Sequence, residues 1–180
     1  LDSTVLICLW HNRELDFDIC HGNFQLRGDE SDGDQQFLEA LAKDLNKPIF
    51  IKSENAKTYA KLEGISVQEA AREIRYKWFK HCLNEHKYDH LFTAHHANDN
   101  IETYVINSFR GTGLKGLTGI PQNRGKIIRP LLNFSRQELH DYAMEHGISW
   151  REDDSNKSDK YLRNVIRHHL IPFFEKKDDD

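Results

Sequence analysis

His90-Leu91-Phe92-Thr93-Ala94-His95-His96-Ala97-Asn98-Asp99-Asn100-Ile101-Glu102-Thr103 is the stretch from which the fold is read. Residues 90–94 read as a strand after the charged turn Lys87-Tyr88-Asp89, and residues 99–109 read as a helix. A strand that ends in polar residues and runs straight into a helix is half of a β-α-β unit. In such units ligands sit at the carboxyl ends of strands, against helix N-termini. Asp99 and Glu102 are three apart, so their carboxylates share one helical face. Two carboxylates there can hold a magnesium ion whose shell substrate phosphates complete. The same acids also suit the positive end of a helix as ordinary caps. His95-His96, two polar residues closing an apolar strand, point to a site.

Working outward, the pattern repeats. Residues 4–12 carry Val5, Leu6, Leu9 and Trp10 at helical spacing, and residues 17–20 are a short strand. Residues 34–45 form an amphipathic helix through Phe37, Leu38, Leu41 and Leu45, and residues 48–51 a strand. Ser66-Val67-Gln68-Glu69 has the form of a capping box that starts a helix to about Glu85. Ser135-Arg136-Gln137-Glu138 opens another helix, with Gly147 at its C-terminal cap. A last helix over 160–169 closes at Pro172. Strands separated by helices of this length predict an α/β fold, a doubly wound parallel sheet with helices on both faces. The chain opens on a helix, and on Leu1 rather than Met, so the first strand of the pattern is expected to precede it in a longer protein.

The chain has 180 residues, the size of one ordinary domain. Its net charge is −4, whereas nucleic-acid binders are usually basic. The average hides segregation. Between Glu102 and Glu138 there is no acid, and Arg110, Lys115, Arg124, Lys126, Arg129 and Arg136 give a local +6, so the remainder carries −10. That is the footprint of a polyanion site on an acidic protein, although such runs are commonly a solvated face. No apolar run approaches the roughly 18 residues of a membrane span. Asp2-Ser3 stands where a signal peptide would be basic. Cys8, Cys20 and Cys82 are odd in number and widely spaced, which fits a reducing cytosol, and Cys20 shows no partner. Nothing in the sequence specifies an oligomeric state.

Four glycines in residues 111–119 let backbone approach a ligand, or make a connector. This is not a Walker loop, because no Gly-Lys-Ser/Thr precedes a helix. Lys160, Arg163, Asn164, Arg167 and His168 recur on one helical face behind Asp153-Asp154-Ser155-Asn156, a basic ridge suited to phosphates or to ordinary surface. Ala70-Ala71 suggests close packing against the sheet, and Arg72 and Arg75 read as snorkelling surface residues.

Together, certain blocks resemble a known family. They are Leu1-Asp2-Ser3-Thr4, Leu26-Arg27-Gly28-Asp29-Glu30-Ser31, Ala70-Ala71-Arg72-Glu73-Ile74-Arg75-Tyr76 and His95-His96-x-x-Asp99-x-x-Glu102-Thr103. Arg110-Gly111-x-Gly113-x-x-Gly116-Leu117, Arg129-Pro130-Leu131-Leu132, Asp154-Ser155-Asn156 and Arg163-Asn164-x-x-Arg167-His168 continue the series. The whole is similar to the bacterial tRNA(Ile)-lysidine synthetases of the N-type ATP-pyrophosphatase (PP-loop) superfamily. The resemblance implies that residues 1–180 are an N-terminal catalytic PP-loop ATPase domain, with further tRNA-binding domains elsewhere in the protein. It implies that ATP adenylates the C2 oxygen of the wobble cytidine of tRNA(Ile) with a CAU anticodon. Lysine then attacks C2 and AMP leaves, giving lysidine, in the cytoplasm and away from membranes.

Carried over residue by residue, it implies ATP binding by Leu1, Asp2, Ser3, His21, Arg27 and His95, and catalytic roles for Asp99, Glu102, Arg72 and Arg110. It implies magnesium on Asp2, Asp99 and Glu102, and tRNA binding by Lys115, Arg129, Arg163 and Arg167. Three departures stand out. Only Leu1-Asp2-Ser3 of the family loop Ser-Gly-Gly-x-Asp-Ser is present, Phe24 replaces a second histidine, and Asn98 replaces the first acid of a pair. Two other readings remain open: a tRNA thiolation enzyme, which would need paired cysteines, and a non-catalytic nucleotide- or RNA-binding module.

Overall fold

Backbone hydrogen bonding turns the alternation into two compact units, residues 7–91 and residues 1–6 with 92–180. The computed structural model describes residues 1–152 and 162–175, without the side chains of Lys115, Phe174 and Glu175. The acidic turn at 153–156 and Lys160 lie outside the described residues. Helix α1 (Asp2–Asn12) opens the chain.

In the unit of residues 7–91, β1 (Ile19–Asn23) leads into α2 (Asp29–Asp44), and β2 (Ile49–Ser53) leads into α3 (Ala56–Glu63) and α4 (Val67–Glu85). β1 and β2 pair in parallel, from Ile19 opposite Ile49 to Asn23 opposite Ser53. Both strands sit a little C-terminal to their expected positions, and α2 starts five residues early. Its first turn holds Asp29, Glu30 and Asp32, which suit the helix dipole but carry no apolar periodicity. α3 was not expected. Asn55 accepts from the Thr58 N–H at 2.9 Å at its start, and Gly64 is left-handed at its end. The Ser66–Glu69 capping box of α4 forms as read. The core here joins Phe24, Ala56, Ala60, Ala70, Ala71 and Ile74. The alanine pair of α4 thus packs with the alanines of α3 and with Phe24, a closer helix–helix fit than the packing on the sheet that the sequence suggested.

In the other unit, β3 (Leu91–Phe92) belongs to a three-stranded sheet of order β3-β5-β4. β4 (Asn123–Arg124) and β5 (Ile127–Ile128) form an antiparallel hairpin around Gly125, at φ +59°. The hairpin was missed because two-residue strands leave no periodicity to read. α5 (Ala97–Phe109) and the short α6 (Leu114–Leu117) lie between β3 and the hairpin in the chain, and α7 (Arg136–Glu145) follows it. Gly147 N–H bonds Met144 O and Ile148 N–H bonds Ala143 O, with Gly147 at φ +61°, so α7 ends in a Schellman motif.

The chain then makes α8 (Leu162–Val165), a π-helical turn (Ile166–Leu170) and α9 (Ile171–Glu175). Pro172 lies inside α9 instead of closing a helix. The preceding wide turn bonds Ile171 N–H to Ile166 O, so the regular ladder is already broken where proline lacks a donor. Leu131, Leu139, Ala143, Ile166 and Ile171 are buried. The alternation of strands with helices and the parallel β1–β2 pairing make this an α/β protein, as expected.

Candidate active site

The first turn of α5 follows β3 through an extended His96, at φ −123°. Extended backbone sends neighbouring side chains to opposite sides, so His95 and His96 part company. His95 Nδ1 lies 2.9 Å from Thr93 Oγ1. His96 turns inward and is 2% exposed. Its Nε2 is 3.6 Å from a carboxylate oxygen of Asp2 and 3.6 Å from one of Asp99. Asp99 also accepts the His96 backbone N–H at 3.1 Å, so it caps the helix and joins the cluster at once. Asp2 stands in the first turn of α1. Burial opposes its charge, but His96 and the nearby charge of Arg136 outweigh it and hold the Asp2 carboxyl below its ordinary range.

One turn on, Glu102 is fully buried. Arg167 Nε donates to it at 2.8 Å, and the same guanidinium is 3.8 Å from Asp99. Asp2 Oδ1, His96 Nδ1 and Glu102 Oε2 are buried and have no hydrogen-bond partner among the described residues. Buried polar atoms are normally paired, so three orphans in one cluster mark a place prepared for a ligand or water.

Asparagines fix the turn around Asp99. Asn98 accepts the Arg136 N–H at 2.8 Å, tying α5 to the start of α7. Its amide does this structural work where an acid had been expected. Asn100 accepts the Ile120 N–H at 2.6 Å, and Asn107 donates to Gly116 O at 2.7 Å. The glycine-rich segment is therefore pinned by α5. A Cβ on Gly119 would fall 2.1 Å from Asn100 Oδ1, and one on Gly116 would fall 2.2 Å from Thr112 Oγ1. The closeness these glycines allow is taken up by the protein's own side chains.

Several expected roles change. Arg129 is 4% exposed and donates to Pro121 O at 2.7 Å, so it braces a loop and presents nothing to a phosphate backbone. Arg163 donates to Thr103 Oγ1 at 3.2 Å, and Arg167 holds Glu102. Of the ridge read as suited to phosphates, Arg167 is turned onto α5 as the counter-charge of buried Glu102, while Arg163 stays exposed beside Thr103. Glu102 gives one oxygen to Arg167 and leaves the other, Oε2, without a partner among the described residues. Arg110 caps the far end of α5, roughly 16 Å of helical rise from Asp99. The Lys115 side chain lies outside the described residues. Arg124 and Lys126 on the hairpin are exposed.

The remaining candidates lie in residues 7–91. His21 is in β1, with Nε2 buried and no partner among the described residues. Burial pushes its imidazole below the usual range, so it is neutral near pH 7. Arg27 pairs with Asp34 at 2.7 Å. Asn23, 4% exposed, donates to Asp32 and Gln35 and fixes the exit of β1 against α2. Arg72 is exposed over the Tyr76 ring, and Arg75 lies over Phe24. Phe24, at the position of the absent histidine, is a core residue whose ring would meet any Cβ on Gly22 at 2.4 Å. Cys20 does have a partner: its sulfur is 3.4 Å from that of Cys82.

The donor set was compared with a divalent cation. Among the described residues no group of three His, Cys, Asp or Glu gathers to hold a metal alone. Asp2 and Asp99, with the orphaned Asp2 Oδ1, fit a magnesium ion that keeps water and takes further oxygens from phosphate. The α1 N-terminus beside them is favourable to anions. No helix among the described residues is long and apolar enough to cross a membrane.

His96, read from the sequence only as half of the His95-His96 pair, and Arg136, read only as one of six cations, had been given no role in the cluster. The spacing His96-x-x-Asp99, three apart across a helix start, was the available signal for His96. Nothing local identified Arg136.

Comparison with known proteins gives three results. Residues 1–174 match the PP-loop domain family. The tRNA(Ile)-lysidine synthase of Porphyromonas gingivalis is 41% identical over 97% of this chain and 38% of its own length. That of Bacteroides thetaiotaomicron is 37% identical over 97% of this chain and 41% of its own. The chain therefore spans less than half the length of these relatives. Among solved structures, the U34-tRNA thiolase NcsA from Methanococcus maripaludis, with its 4Fe-4S cluster, superposes with a TM-score of 0.71. It is 17% identical, covers 93% of this chain and 64% of its own, and speaks for the fold.

Proposed function

Because the chain belongs to the PP-loop domain family, we propose that it is the ATP-using catalytic part of a cytoplasmic tRNA(Ile)-lysidine synthase. The substrates are ATP, lysine and tRNA(Ile) with a CAU anticodon. The observation that carries this reading is the collinear match to lysidine synthases across nearly the whole chain. The cluster of buried His96 with part-buried Asp2 and Asp99, at the starts of α1 and α5, supports that reading.

The reaction proceeds in two displacements. The C2 oxygen of the wobble cytidine attacks the α-phosphorus of ATP and pyrophosphate leaves. The lysine ε-amine then adds at C2 and AMP departs with that oxygen. Leu1, Asp2 and Ser3 place the N-terminal amides of α1 against phosphate. Magnesium, when bound by Asp2 and Asp99, neutralises pyrophosphate charge. His96 holds both carboxylates in place and favours the charged form of Asp2. Glu102, locked by Arg167, sets the orientation of α5 and leaves one oxygen for a donor such as the lysine ammonium. His21, neutral and with its Nε2 unpartnered among the described residues, suits a hydrogen bond to the nucleotide; the family resemblance adds ATP contacts for Arg27 and His95 and catalytic roles for Arg72 and Arg110. Arg110, Arg124, Lys126 and Arg163, exposed among the described residues, suit the tRNA backbone.

The thiolation reading has one observation in its favour, the adjacent Cys20 and Cys82. Burial pushes both thiols up, away from the thiolate that sulfur transfer needs. Pyrophosphate release by the complete protein separates the readings. It requires lysine and tRNA(Ile) together in a lysidine synthase and a sulfur donor in a thiolase, and a binding module shows ATP binding without turnover. Asp2→Asn and Asp99→Asn each lower lysine-dependent release by about a hundredfold with circular dichroism unchanged. Wild-type rates in both remove the assigned site.

A further inference from the structure

Cys20 and Cys82 are 62 positions apart in the chain, yet their sulfurs are 3.4 Å apart. Cys20 is the second residue of β1 and is half-buried. Cys82 lies near the end of α4 and is 4% exposed. Strand and helix pack together within one unit, so regular elements and not a mobile loop hold the two thiols. The third cysteine, Cys8, is not part of this contact.

We propose that Cys20 and Cys82 are a disulfide-exchange site, a dithiol that small-molecule disulfides of the glutathione type convert reversibly to an intramolecular disulfide. A disulfide needs its sulfurs about 2.05 Å apart, so side-chain rotation through little more than an ångström closes the pair. Cys20, the more accessible sulfur, loses its proton and attacks one sulfur of the small disulfide. A mixed disulfide forms and the first small thiolate leaves, taking up a proton. Cys82 then loses its proton and attacks the Cys20 sulfur, and the second small thiol departs. Two protein thiols and one small disulfide become one protein disulfide and two small thiols. The crosslink joins β1, one residue before His21, to α4. Burial raises both thiols above their ordinary range, so the thiolate is scarce at neutral pH and exchange is slow there.

The test equilibrates the complete protein without oxygen in glutathione buffers of graded oxidised-to-reduced ratio. Samples are quenched by alkylation and mapped by mass spectrometry. A peptide linking Cys20 to Cys82 is expected, lighter by two hydrogens than the free pair, while Cys8 stays alkylated. The linking rate rises about tenfold per pH unit between about pH 7 and about pH 9. In Cys82→Ser, Cys20 collects a glutathione adduct instead. In Cys20→Ser, Cys82 stays alkylated. The proposal is overturned if both thiols remain alkylated at every ratio while the urea-unfolded chain oxidises. Linkage of Cys8 to Cys20 as often as of Cys82 overturns it equally.

Discussion

His96 shows how much one buried side chain can organise. It is nearly inaccessible and stands equidistant from two carboxylates, one on α1 and one on α5. Its presence helps keep Asp2 ionised despite burial. In His96→Gln the Asp2 midpoint should therefore rise, which carboxyl-resolved NMR titration reads directly. A carboxyl held below its ordinary range contributes stability above that range and loses it as pH falls through the folded midpoint. The stability gap between wild type and His96→Gln should accordingly be full at neutral pH and close in acid. A gap unchanged down to about pH 3, below the ordinary carboxylate range, would contradict this. Arg167 is the other organising residue. Arg167→Met leaves Glu102 buried without its counter-charge and should cost about 3 kcal/mol in urea unfolding. Glu102→Gln in the same chain should recover much of that loss, because the residue left behind is then neutral.

At the scale of elements, glycines record where one element presses on another. Gly22 is in β1, and a methyl there would overlap the ring of Phe24. Phe24 in turn lies in the cluster where α3 and α4 meet. Gly22→Ala should destabilise by about 2 kcal/mol through overpacking, and Phe24→Leu should relieve part of it in the double variant. Additive losses in thermal melts would show that the ring is not the obstacle. α4 and α7 were legible because their capping boxes are local and chemical. α3, the β4–β5 hairpin and the π turn were not. Each is short, and its stability comes from packing and loop geometry that no apolar period announces.

Across the whole molecule, the segregated charge of the sequence divides on folding. Of the six cations between Glu102 and Glu138, Arg129 is buried and Arg136 sits near Asp2, while Arg110, Arg124 and Lys126 are exposed. The exposed hairpin pair should carry phosphate contacts that Arg167, engaged by Glu102, does not. Arg124→Ala with Lys126→Ala should flatten the dependence of log tRNA affinity on log salt by about 2, while ATP affinity stays put. An unchanged slope would make that hairpin ordinary surface.

The sequence by itself determined the α/β class, the helix starts at Ser66 and Ser135, and Asp99 and Glu102 as acids to watch, while Asp2 entered through the family resemblance. All but Asp2 follow from local chemistry, in which strand ends, caps and three-residue spacings act within one or two turns. Only the tertiary structure decided what those acids touch. It buried His96 between two of them and gave Glu102 to Arg167 from 65 positions away. It also turned Arg167 of the basic ridge inward while Arg163 stayed exposed, and brought Cys20 to Cys82. A guanidinium spaced for phosphate and one spaced for a buried carboxylate look alike in one dimension. Burial separates them, because a charge removed from water must find its partner inside the protein.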